Sequence, residues 1–125
     1  MTAMRKVVLL MASVVIVLVA ADPPSPSHGR EIFEKRCTGC HSLDNPKVGP
    51  ALRGVYGRRA AADSHFAYSD ALLKSSLTWD DATLEKWLAD PDALVPDNDM
   101  SFRLDNAAER AAIVDYLKQL PGKSR

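Results

Sequence analysis

Apolar residues recur at helical spacing in several windows of the chain, separated by stretches that proline and glycine break up. Near the end, Ala112, Ile113, Tyr116, Leu117 and Leu120 share one side of a helix. Asp105 or Asn106 stands where an N-cap is needed, and Pro121-Gly122 stops the run. Further back, Leu84, Trp87 and Leu88 form a second stripe. Thr78 is the expected cap, Asp80 and Asp81 fill the first turn, and Asp90-Pro91 ends the helix. Ser69 caps a short helix through Ser75 with Leu72 and Leu73 turned inward, and a first helix runs from Gly29 into Arg36 on Ile32 and Phe33.

The connections read as irregular. Asn45 to Pro50 is punctuated by Pro and Gly, Ala51 to Arg59 by Gly54 and Gly57, and Asp92 to Leu104 shows no helical period. No alternating strand pattern and no internal repeat occurs, so the fold class is all-α.

The apolar run from Val7 to Ala21 has a different character. Arg5 and Lys6 precede it, Ser13 alone interrupts it, and Val19-Ala20-Ala21 ends in small residues. Residues 1–21 therefore read as a signal peptide, with an uncleaved anchor as the alternative, since the run falls short of the about 20 residues a spanning helix needs. Residues 22–28 read as a proline-rich, extended leader, and residues 29–121 as one domain. Cleavage after Ala21 removes two of the 16 basic residues, leaving 14 against 16 acidic ones and a formal charge of −2. No basic face is clustered, so nucleic acid is not an expected partner.

Both cysteines of the chain lie in Cys37-Thr38-Gly39-Cys40-His41. Two thiols at this spacing can add across the two vinyl groups of a haem, and the adjacent imidazole can reach the iron. Three other uses of the pair stand beside this one. A zinc site needs four ligands, and only His28 and His65 remain to supply them. A redox dithiol follows a strand, whereas Arg30 to Arg36 reads as a charged helix. A disulfide across two residues is strained and closes almost no loop. Export suits the haem reading, because thioether attachment takes place on the outer side of the bacterial inner membrane.

Of four methionines, Met1, Met4 and Met11 lie in the leading segment and only Met100 lies beyond it, in Val95-Pro96-Asp97-Asn98-Asp99-Met100-Ser101-Phe102. A thioether opposite histidine favours ferrous iron and raises the potential. A gap-filling methionine, or His65 as the iron's sixth ligand, are the competing readings.

Cys-Thr-Gly-Cys-His, then Gly49-Pro50, then a lone methionine in Pro-x-x-x-Met-x-Phe ahead of a terminal helix, resembles class I cytochrome c, nearest its mitochondrial-like bacterial members. The resemblance spans Gly29 to Leu120. It implies a small fold in which the first and last helices, through Gly29, Phe33 and Tyr116, pack together around one covalent haem c. It also implies thioethers at Cys37 and Cys40, axial ligation of the iron by His41 and Met100, and a hydrogen bond from His41 to the Pro50 carbonyl. Arg58, Tyr68 and Trp79 match positions that bind a haem propionate, and Trp87 and Phe102 complete the haem pocket. Without the resemblance, Tyr68 and Trp79 are ordinary core aromatics and Arg58 a surface charge. Two positions depart from the pattern: Trp87 stands where many relatives have a tyrosine, and Leu72 where they often have an asparagine. The loop between His41 and Pro50 is also shorter than in mitochondrial members.

The implied function is a monomeric, periplasmic one-electron carrier rather than an enzyme, with a membrane-tethered carrier or a small haem subunit of a larger oxidoreductase as the alternative. Its partners would be redox proteins, a periplasmic dehydrogenase or a membrane oxidase or reductase. Asp92, Asp97 and Asp99 near the expected haem edge, against Lys35, Arg36 and Arg103, fit a neutral or basic partner better than a strongly acidic one.

Overall fold

Among the described residues, five helices and the loops between them surround a central cavity. The computed structural model describes Val17 and residues 25–123. The signal-peptide reading, Val17 apart, and residues 22–24 of the leader lie outside the described residues.

The first helix, α1, is Pro26–Arg36. It begins three residues before Gly29 because Ser25 caps it and Pro26, whose missing N–H costs nothing there, occupies the first turn. Residues 26–28 of the expected extended leader are thus helical. Helix α2 is Asp70–Lys74, capped by Ser69, which accepts from Leu72 N at 3.2 Å. Leu72 is buried, but Leu73 is 56% exposed and does not turn inward.

Helix α3 is Asp81–Ala89, and its cap is Asp80 rather than Thr78. The Asp80 carboxylate accepts from Thr83 N at 2.8 Å while the Thr83 hydroxyl accepts from Asp80 N at 2.9 Å. This reciprocal pair satisfies two end donors at once, which Thr78 could not do from two residues upstream. Asp90 then caps a further short helix, α4 (Pro91–Leu94), inside the stretch expected to be loop. Proline stops α3 and, at the first position after a capping aspartate, starts α4.

The last helix, α5 (Ala107–Lys118), is capped by Asn106, which accepts from the Ala108 and Glu109 amides. Ala112, Ile113, Val114 and Leu117 are its buried residues, whereas Tyr116 and Leu120 are half-buried at its border.

Helix α1 crosses α5, and α3 packs on α4 and α5. At the α1–α5 crossing a side chain at Gly29 would strike the Ala112 carbonyl oxygen and lie 2.8 Å from Tyr116 Cβ, so the backbones meet where no Cβ intervenes. Beside it the Phe33 and Tyr116 rings pack with centroids 5.4 Å apart. The segment 57–60 runs antiparallel to 77–79 through an isolated bridge between Arg59 and Thr78, which brings Trp79 N to Arg58 O at 2.9 Å. That pairing places Arg58 and Trp79 on the same wall. Gly54, at φ +72°, donates to Leu120 O at 2.8 Å and ties this irregular half of the chain to the end of α5.

Candidate functional site

One predominantly apolar cavity gathers chemistry-bearing residues from every part of the fold. The end of α1 delivers Cys37 and Cys40, and the turn that follows presents His41, whose backbone N–H donates to Cys37 O at 2.9 Å. The chain then doubles back: Gly49 N donates to Cys40 O at 2.8 Å, which brings Pro50 beside the imidazole. His41 Nδ1 lies 2.8 Å from Pro50 O. A carbonyl only accepts, so the Nδ1 proton is donated there and the lone pair of the neutral ring resides on Nε2. A Cβ at Gly49 would strike the ring, coming within 2.7 Å of Nδ1, so this loop lies flat on the imidazole only as glycine. Burial lowers the His41 pKa against the opposing effect of the Pro50 hydrogen bond, which favours the neutral form a metal ligand requires.

The opposite wall comes from α3 and the loop after α4. Trp87 and Trp79 pack with centroids 5.2 Å apart, and Trp87 Nε1 donates to Met100 Sδ at 3.1 Å. The tryptophan thus supplies the sulfur with a hydrogen-bond donor. Leu72 lines the same wall with a hydrocarbon surface.

A third side holds Arg58, Tyr68 and Phe66. Tyr68 meets Phe66 edge-on at 4.9 Å, and Arg58 Nη2 donates to Ala51 O at 3.2 Å. Arg58 Nε is buried without a partner among the described residues, which is unusual for a guanidinium and marks a place for an acceptor contributed by a bound group.

All ten residues singled out in the sequence (Cys37, Cys40, His41, Pro50, Arg58, Tyr68, Trp79, Trp87, Met100 and Phe102) line this single cavity. His65 does not: its side chain is 84% exposed and its Nδ1 lies 3.1 Å from Asp63 Oδ1. Burial pushes the Cys37 thiol up to about 11, which disfavours the thiolate that a redox dithiol uses. No cluster of three or more His, Cys, Asp or Glu able to hold a metal occurs among the described residues. The composition therefore suits a large apolar group that brings its own metal and anionic substituents. Asn98, which the sequence reading did not single out, also lines the cavity.

The family model described as Cytochrome c matches residues 26–121. The chain belongs to the cytochrome c family. Over 87 residues it is 51% identical to cytochrome c2 iso-2 of Magnetospirillum fulvum, a match that covers 67% of this chain and 91% of that protein. It is 37% identical over 122 residues to cytochrome c2 of Rhodomicrobium vannielii, covering 94% of this chain and 97% of the relative. The solved structure of cytochrome cH from Methylobacterium extorquens superposes with a TM-score of 0.71 at 41% identity, covering 75% of this chain and 97% of that one. As a cytochrome c, the protein binds haem c covalently with its iron and serves as an electron carrier, not an enzyme. The cavity fits that cofactor: its walls are apolar, a neutral imidazole and a thioether both face it, and Arg58 Nε waits for an anionic oxygen.

Proposed function

We propose that Cys37 and Cys40 would hold the haem as thioethers, that His41 Nε2 and Met100 Sδ would ligate its iron, and that the protein shuttles single electrons in the periplasm. The observation that carries this reading is the pair of oriented donors on one cavity. Pro50 O fixes the His41 tautomer, so that Nε2 carries the lone pair, and Trp87 Nε1 holds the Met100 sulfur. When bound, the haem iron accepts and releases one electron. The chain's part is to keep both ligands in place in both oxidation states, exclude water with Leu72, Trp79 and Trp87, and hold the cofactor with Arg58 and Tyr68 at its anionic edge. Two strong ligands leave no position open for a substrate, which is why such a site carries electrons and does not turn over a substrate.

The test is an absorption spectrum of the protein made in a host that attaches haem. A c-type spectrum with the weak far-red ferric band of methionine ligation is expected, and Met100→Ala should abolish that band while leaving the haem attached. A wild-type spectrum without the band would overturn the Met100 assignment.

Export into the periplasm is supported by the apolar run at 7–21 with its basic start and small-residue end. Among the described residues no helix is long and apolar enough to cross a membrane.

The proposed partner carries a neutral or basic docking patch. Asp99 stands exposed at the cavity rim with Asp97 beside it, while Arg103 is already engaged at 2.9 Å by Asp90 and at 3.7 Å by Asp92. Electron-transfer rates to a basic redox protein should fall as salt rises, whereas those to a strongly acidic one should not. The reverse pattern would overturn this assignment.

A further inference from the structure

We infer that Asn98 is the positioning residue that holds Met100 against the iron, a role that rests on the axial assignment of Met100 above. Asn98 bonds to three points along the loop that carries Met100 and the helix before it. Asn98 Oδ1 accepts from Met100 N at 2.7 Å, and Asn98 Nδ2 donates to Val95 O at 2.8 Å and to Asp92 Oδ1 at 3.1 Å. One amide thus links the ligand's own backbone to the start of the loop and to α4. Beyond it the network continues: Asp92 and Asp90 flank the Arg103 guanidinium, which lies on the far side of Met100. The two ends of the loop are therefore drawn together outside the cavity while Asn98 grips its middle.

The loop needs such a grip. Asp97, immediately before Asn98, has φ +64°, a left-handed conformation that an L side chain adopts at a cost. The loop's internal bonds offset that cost. Trp87 restrains only the sulfur, at the tip of a flexible side chain, so the backbone position of Met100 depends on Asn98.

Removing the amide should raise the fraction of molecules in which the thioether has left the iron. The probe is imidazole added to the ferric holoprotein, since it binds only when the sixth position opens. Asn98→Ala loses three hydrogen bonds and should bind imidazole about tenfold more tightly than wild type, equivalent to ~1.4 kcal/mol, and should show a weaker far-red band. Asn98→Asp keeps the acceptor for Met100 N–H but sets a carboxylate oxygen against Val95 O and Asp92 Oδ1, so it should also bind imidazole more tightly than wild type. It also decides the matter if Asn98→Ala does not fold. Gly29→Ala, which strains the remote α1–α5 crossing, should lower the melting temperature and leave imidazole affinity within twofold of wild type. Wild-type imidazole affinity in both Asn98 variants would overturn the inference. An equal gain in Gly29→Ala would do so too, because the readout would then follow general stability. A wild-type protein with no far-red band would instead overturn the Met100 assignment itself, and the inference with it.

Discussion

Trp87 illustrates how a single residue sets the chemistry of this site. Its indole carries one donor, and that donor points at the Met100 sulfur at 3.1 Å. A hydrogen bond draws electron density from the thioether. Donation then weakens more toward electron-poor ferric iron than toward ferrous iron, and the reduced state is favoured. Trp87→Phe should therefore lower the midpoint potential by about 20–40 mV, the equivalent of roughly 0.5–1 kcal/mol for one electron. Trp87→Tyr, which can offer a phenol in the same region, should give a smaller shift. Potentiometric titration of the three proteins checks this, and an unchanged potential in Trp87→Phe would mean that the bond does not tune the iron. From the sequence, only the family resemblance, not any local pattern, places the Trp87 ring at the cavity. That placement depends on the packing of Trp79 against Trp87, a contact across eight residues that no local pattern encodes.

Among the elements, the α1–α5 crossing joins the two helices whose residues Phe33, Ile113 and Leu117 back one side of the cavity. Gly29→Ala forces a Cβ onto the Ala112 carbonyl and the Tyr116 side chain, neither of which can move without shifting a helix. We expect a loss of about 1–3 kcal/mol, typical of overpacking, measured as a lower denaturant midpoint at unchanged slope. A midpoint equal to that of wild type would show that the helices separate at little cost. The long helices and their buried stripes were legible because period and burial coincide: Leu84, Trp87 and Leu88 in α3, and Ala112, Ile113 and Leu117 in α5. Short elements were not. Pro26 and Pro91 read as breakers, yet each follows a capping side chain, Ser25 or Asp90, and starts a helix. A cap is recognised only once the helix it serves is known. Leu73 was assigned to the core beside Leu72, but a five-residue helix is too short for its buried side to be fixed by periodicity. Among the site residues, His41, Cys37, Cys40 and Met100 stood out because their chemistry is rare in the chain. Asn98 did not, since Pro96-Asp97-Asn98 reads equally well as an ordinary turn.

At the scale of the whole molecule, the cavity and the core are the same space. Leu72, Trp79, Leu84, Trp87, Leu88, Ile113 and Leu117 are buried, and all of them border the cavity. A domain of this size is stable by only about 5–15 kcal/mol net. Here much of the apolar surface would face an empty space, or water, if the cofactor were missing. Polar ties such as Arg110 to Glu85 at 2.6 Å link α5 to α3 but cannot replace that contact area. The haem-free variant Cys37→Ala/Cys40→Ala should consequently lose most of its helical circular dichroism and its cooperative melt, while the holoprotein keeps both. Restoring haem as a non-covalent ligand should recover helicity in part, because the same walls are covered again but without the two thioether tethers. A haem-free protein with native-like helicity and a sharp transition would show that α1, α3 and α5 suffice to make a core by themselves, and that the cofactor occupies a preformed space.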